Sequence, residues 1–207
     1  MNTVAVLDYG MGNLHSVSKA LQKVSTKENI LITNDHNKIL SSDKLVVPGV
    51  GAIRDCMNSL NNLGFDDLIK EFVQSKPILG ICVGMQLFFE RSEENQGTEC
   101  LGMIKGSLEK IPTTEDIKVP HMGWNEVNQL SKHPLWKNIE NNSFFYFVHS
   151  YAAFSCNQVD SETCHGKKFV SSVAKENLFA VQFHPEKSQL NGLKLYKNFL
   201  EWEGGIS

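Results

Sequence analysis

The chain has 207 residues, 41% hydrophobic and 21% charged, with 15 glycines and 6 prolines, a globular mixture that excludes disordered and collagen-like chains. Its length predicts one domain over 1–207. A net charge of −3 lacks the basic footprint that neutralises phosphates, so no nucleic-acid partner is expected, and no apolar run reaches the ~18 residues of a membrane span.

Residues 3–8 form a short apolar run closed by Gly10, Gly12 and Asn13, after which Leu14, Val17, Leu21 and Val24 recur at helical spacing. The run meets Asp8 too early, and without a basic lead, to read as a secretory leader. Strands are predicted again over 30–33 and 45–47, and Phe65, Leu68, Ile69, Phe72 and Val73 mark a second helical stripe. Residues 78–81 are too apolar for a wet face, and 82–90 carry helical spacing. The polar middle, about 93–117, holds one candidate strand over 107–111. Buried strands are predicted over 144–148 and 179–183, before a closing helix striped by Leu193, Tyr196, Phe199 and Leu200. Strands apolar on both sides, alternating with helices, predict an α/β fold with a parallel sheet covered on both faces.

The Cys82 neighbourhood, Gly80-Ile81-Cys82-Val83-Gly84, lies between a strand and a helix and is the thiol version of a nucleophile elbow. Such a turn brings the residues two before and two after the nucleophile together, so only small side chains fit. A sulfur at a helix N-terminus is also favoured as the thiolate. Taken alone, Cys82 reads equally well as a buried core cysteine. The five cysteines, an odd number without a C-x-x-C pair, predict free thiols in a reducing cytoplasm.

Among seven histidines, His184 is best placed to serve as a base. It follows the 179–183 strand, whose carboxyl end gathers with the elbow on one sheet edge, and Glu186 lies two residues on to orient the imidazole. Pro48-Gly49-Val50-Gly51 reads as a glycine turn or as an oxyanion loop, with the Val50 N–H joining that of Val83. In the second reading its glycines tolerate positive φ, so the Gly49–Val50 peptide can rotate. Gly10 to His15 fails the dinucleotide fingerprint, because His15 stands where the third glycine belongs. The Cys and His spacings suggest no metal site, and no cofactor is expected.

With these segments, Leu7 to Leu14, Pro48 to Gly51, Gly80 to Gln86, Pro120-His-Met-Gly-Trp-Asn125, His149-Ser-Tyr151 and Val181 to Lys187, the chain resembles the class I, triad-type glutamine amidotransferases. Within them it is similar to the glutaminase subunits of imidazole glycerol phosphate synthase. The resemblance implies a flavodoxin-like, mostly parallel central sheet flanked by helices, with some antiparallel strands in the second half. It further implies that Cys82 attacks the glutamine amide, His184 is base and then acid, and Glu186 orients His184. Glutamine would be held by Gln86, by backbone groups around Ser150 and Tyr151, and by Gly51. The implied partner is a separate (β/α)8 cyclase subunit of the HisF type, faced by Asn13, Trp124 and Lys187. Three other readings stay open: ammonia supply for surface-sugar amidation, a Cys-dependent peptidase or deglycase, and a nucleotide-binding module using Gly10 to Asn13.

Overall fold

The computed structural model describes residues 2–205. The first half runs β1 (Thr3–Leu7), α1 (Leu14–Val24), β2 (Asn29–Thr33), α2 (His36–Ser41), β3 (Lys44–Gly49), α3 (Ile53–Asn62), α4 (Phe65–Phe72), β4 (Ile78–Cys82) and α5 (Val83–Gln86). The second half is mainly β: β5 (Arg91–Ser92), β6 (Thr98–Glu99), β7 (Ser107–Lys110), β8 (His121–Gln129), β9 (Ser143–His149), β10 (Tyr151–Ala153), β11 (Val159–His165), β12 (Lys167–Lys175), β13 (Leu178–Val181), then α6 (Gln189–Glu201).

Nine of these strands form one sheet in the order β2-β1-β3-β4-β13-β12-β11-β8-β9. The run from β2 to β13 is parallel. From β13 to β9 every neighbouring pair is antiparallel, so the sheet is mixed and its antiparallel wing equals the parallel one in number of ladders. A small sheet, β10-β7-β5-β6, lies apart from it. Where helices cover both faces the strands need apolar side chains on both, and β3, β4 and β13 are buried along their whole length. Lys44 of β3 is the exception in type. Its ammonium donates to the Trp202 carbonyl and faces Glu203 at 3.6 Å, so the buried charge is satisfied.

The helical stripes pack as expected, with Val17 and Leu21 of α1, Phe65, Leu68, Ile69 and Phe72 of α4 and Tyr196, Phe199 and Leu200 of α6 turned inward. Two expectations need correction. The helix read over 82–90 is the single turn α5, because the N–H groups of Leu101, Met103 and Ile104 take the carbonyls of Leu87 and Phe88. A continuing helix would have needed those carbonyls for its own next turn. Strand β9 alternates rather than being wholly buried: Phe145 and Phe147 face the core and Phe144 is half exposed. A further hairpin, β11 and β12, is antiparallel and carries Asp160, Ser161, Ser171 and Ser172 at its buried centre. It stays buried because Asp160 accepts from Trp136 Nε1 at 2.7 Å and from the Ser172 hydroxyl at 2.7 Å, and Ser161 bonds both Ser171 and Ser172.

Candidate active site

Cys82 ends β4 with φ 55° and ψ −112°, a backbone state that L residues rarely adopt outside functional turns. The glycines around it are demanded by space. A Cβ on Gly84 would stand 1.9 Å from the Val47 carbonyl oxygen, and one on Gly80 would stand 2.5 Å from the Phe88 ring and 2.9 Å from the Gly84 oxygen. The elbow therefore folds as tightly as it does because both neighbours lack side chains. With α5 only four residues long, the charge environment of the sulfur comes from side chains more than from a helix dipole.

One of those side chains is His184, which leaves β13, the strand paired with β4. Its backbone N–H donates to the Tyr146 carbonyl at 2.9 Å, and its Nδ1 bonds Glu186 Oε1 at 2.8 Å. Glu186 sits on a 3-10 turn, Pro185–Lys187, and its second oxygen accepts from the Tyr196 hydroxyl at 3.3 Å. Commitment of Nδ1 to the carboxylate leaves Nε2 as the free nitrogen, and Nε2 is buried without a protein partner. Burial disfavours the imidazolium, but the Cys82 sulfur and the Glu186 carboxylate outweigh it and hold His184 up at about 10. His184 is thus set to be cationic beside the sulfur.

Cys82 and His184 open into a cavity of about 370 Å³ that is also lined by Val50, Gly51, Val83, Gln86, Glu94, Ser150, Tyr151 and Lys187. The structure therefore gathers the expected nucleophile, base, oxyanion and substrate positions around one space, with Glu186 behind His184. Val83 opens α5, and N–H groups of a first helical turn have no intrahelical acceptor. Gly51 adopts φ 89°, whereas Gly49 is not in the positive-φ region. Gly49 is required for a different reason: a Cβ there would stand 2.7 Å from the Gly84 nitrogen.

Gln86 is buried, and its amide nitrogen donates to the Tyr151 carbonyl at 3.1 Å and to Gln182 Oε1 at 3.0 Å. The Ser150 carbonyl accepts from the Ile111 N–H, so the carbonyls of both Ser150 and Tyr151 are already engaged within the protein. Asn13 and Trp124 lie outside the cavity. Trp124 is half exposed and meets the Tyr146 ring edge-on, and the Lys187 ammonium lies 5.5 Å from the centre of the same ring.

Two residues of the site escape sequence reasoning. Gln182, just past β13, points its amide nitrogen at the Cys82 sulfur from 3.8 Å, and its signal is a lone amide inside the otherwise apolar run 178–183. Glu94, whose carboxylate accepts the Ile53 N–H at 2.9 Å, comes from a polar loop and has no such signal. Among the described residues no cluster of three His, Cys, Asp or Glu side chains converges to hold a metal, and no helix is long and apolar enough to cross a membrane.

The model of the family described as "Glutamine amidotransferase class-I" matches residues 5–202. The chain belongs to the class I glutamine amidotransferases. This amidotransferase is 51% identical to the "Imidazole glycerol phosphate synthase subunit HisH" of Pseudomonas putida, over 99% of both chains. Proteins of the same name from Nitrosococcus oceani and Acinetobacter baylyi are 49% and 50% identical, over 99% and 98% of this chain and 99% of each of theirs. Among solved structures, the amidotransferase superposes on a chain described as a glutamine amidotransferase with TM-score 0.72 at 16% identity, covering 96% of this chain and 97% of that one. A chain of PurLQS from Thermotoga maritima gives TM-score 0.71 at 17% identity, covering 97% and 98%. At those identities the likeness is one of fold.

Proposed function

We propose that this amidotransferase is the glutaminase subunit of imidazole glycerol phosphate synthase in histidine biosynthesis. The observation that carries the chemistry is the buried Cys82, held at positive φ, beside a His184 whose Nδ1 is tied to Glu186 and whose Nε2 is free.

Cys82 sulfur, as thiolate, attacks the side-chain amide carbon of glutamine. The C=O π pair moves onto oxygen, and the N–H groups of Val50 and Val83 are the donors for that oxyanion. His184 Nε2–H protonates the amide nitrogen as the C–N bond breaks, releasing ammonia and leaving a thioester. Neutral His184 then takes a proton from water, the hydroxide adds to the thioester carbon, and collapse of that adduct expels the Cys82 thiolate, leaving His184 protonated again while the new carboxylic acid releases its proton to solvent as glutamate. Glu186 holds the imidazole in the tautomer that both halves need. Gly51, Gln86, Ser150 and Tyr151 form the walls that seat glutamine, with the Glu94 carboxylate suited to its ammonium group.

The ammonia is passed to a separate (β/α)8 cyclase of the HisF type, which converts a phosphoribulosyl aminoimidazole nucleotide to imidazole glycerol phosphate and an aminoimidazole carboxamide ribotide. Support for a docked partner is the apolar surface formed by Met122, Trp124, Phe144 and Leu190, which are 45% to 74% exposed. Asn13 and Lys187 are assigned to the same contact. Trapping radiolabelled glutamine as a thioester on Cys82, and measuring cyclase turnover with glutamine against turnover with ammonium, tests the proposal. Failure to acylate Cys82, with peptide or aldehyde substrates consumed instead, would overturn it.

A further inference from the structure

Tyr9, just past β1, is buried, and its hydroxyl donates to the Pro48 carbonyl at 2.7 Å. Cys56, in α3, is also buried, and its thiol donates to the Val50 carbonyl at 3.5 Å. These two carbonyls belong to the peptides on either side of the one that joins Gly49 to Val50. No side chain among the described residues bonds to that middle peptide. A peptide plane turns by changing only ψ of the residue before it and φ of the residue after it, so with the outer peptides fixed the middle plane turns by itself, against only the pairing of Gly49 with Cys82 at the end of the β3–β4 ladder. The Tyr9 hydroxyl also packs close beneath Gly49, where an added Cβ would stand 2.9 Å from it.

We infer that Tyr9 and Cys56 are positioning residues: they pin the outer peptides of the Pro48-to-Gly51 loop, so that the direction of the Val50 N–H is set by one peptide alone. The inference rests on the glutaminase reading, in which that N–H stabilises the oxyanion. Both side chains must keep their protons to act as donors. Burial ensures it, pushing the Cys56 thiol up to about 11 and the Tyr9 hydroxyl well above 10. Complete loss of an oxyanion donor costs about 10²–10³ in rate, so a donor that is misaimed but still present should cost about tenfold.

The test compares the full chain with its cyclase subunit as wild type, Tyr9→Phe, Cys56→Ala and Cys56→Ser. Two quantities are measured: steady-state glutaminase kinetics, and the rate at which iodoacetamide alkylates Cys82, located by mass spectrometry. Alkylation displaces iodide at a saturated carbon and forms no oxyanion, so it reports the sulfur and His184 without the loop. The expected result is kcat lowered about tenfold in Tyr9→Phe and Cys56→Ala, with KM and alkylation within about twofold of wild type, and recovery in Cys56→Ser, whose hydroxyl replaces the donor. If Cys56→Ala fails to fold, Tyr9→Phe, which removes one oxygen atom, carries the test. An active wild type with kcat unchanged in both variants, or with alkylation falling in step with kcat, overturns the clamp alone. A wild type that does not hydrolyse glutamine overturns the glutaminase reading and the clamp with it.

Discussion

The Gln182 amide bridges Cys82 and Gln86, donating toward the sulfur from 3.8 Å and accepting from the Gln86 amide at 3.0 Å. One buried side chain therefore joins the nucleophile to the wall of the substrate cavity. Gln182→Leu removes the donor to sulfur and orphans a Gln86 donor, a desolvation penalty of about 1–3 kcal/mol. The expected outcome is a lower melting temperature together with a rise in KM for glutamine, measured by calorimetry and steady-state assay.

Replacement within the proposed triad should separate glutamine use from ammonia use. Cys82→Ala and His184→Ala abolish glutamine hydrolysis. Glu186→Gln leaves a residue of activity, reduced by up to about 10⁴, because His184 stays but loses the group that fixes its tautomer. Ammonium-driven turnover in the cyclase complex should persist in all three; its loss would assign these residues to assembly.

Three neutral, buried histidines make the fold sensitive to acid. Burial lowers His121 to about 3 and His133 and His149 each to about 4, against about 6.5 in the unfolded chain. Between about pH 6.5 and 4 the unfolded state binds more protons, so the stability these groups contribute is complete above 6.5 and drains away as pH falls. His184, raised to about 10, gains stability as pH falls from 7 toward about 5.5 and so offsets part of this, but one such group does not cancel three. Urea midpoints should drop from pH 7 to pH 5. The drop should be shallower in His133→Asn, which removes one of the three groups at a position next to Phe179 and Trp202. An equal slope in that variant would contradict the assignment.

A glycine remote from the sulfur should also control the base. Gly192 of α6 lies against the Pro185 carbonyl, and a Cβ there would stand 1.8 Å from its oxygen. Gly192→Ala must displace the turn that carries Glu186, so kcat is expected to fall at least tenfold while Cys82 remains in place. A crystal structure of the variant would show the turn moved; an unmoved turn with unchanged kcat would refute the argument.

Much of this architecture is legible in the sequence where one physical demand dominates. The strands β1, β3, β4 and β13 must be apolar on both faces, and the elbow must have glycines at 80 and 84, so both stand out by residue type. His184 and Glu186 are legible because proline fixes the short turn between them. The β11 and β12 hairpin is not, since Asp160 and three serines satisfy one another in a way that only tertiary contact reveals. The shortness of α5 is hidden for the same reason: residues more than ten positions away claim the Leu87 and Phe88 carbonyls that its next turn would need. Gly192 looks like a helix-weakening residue until its neighbour across the packing is known.

Cys82, His184 and the Pro48-to-Gly51 loop emerge from β4, β13 and β3, which are adjacent strands in the middle of the sheet. Amides there open to solvent only when the whole domain opens, whereas edge strands and loop tips exchange through local fraying. The strands that carry the chemistry are thus expected to be the part of the molecule that unfolds last. Heat or denaturant should therefore extinguish catalysis and the slowest-exchanging amides in a single step, with no loosened, inactive form preceding global unfolding.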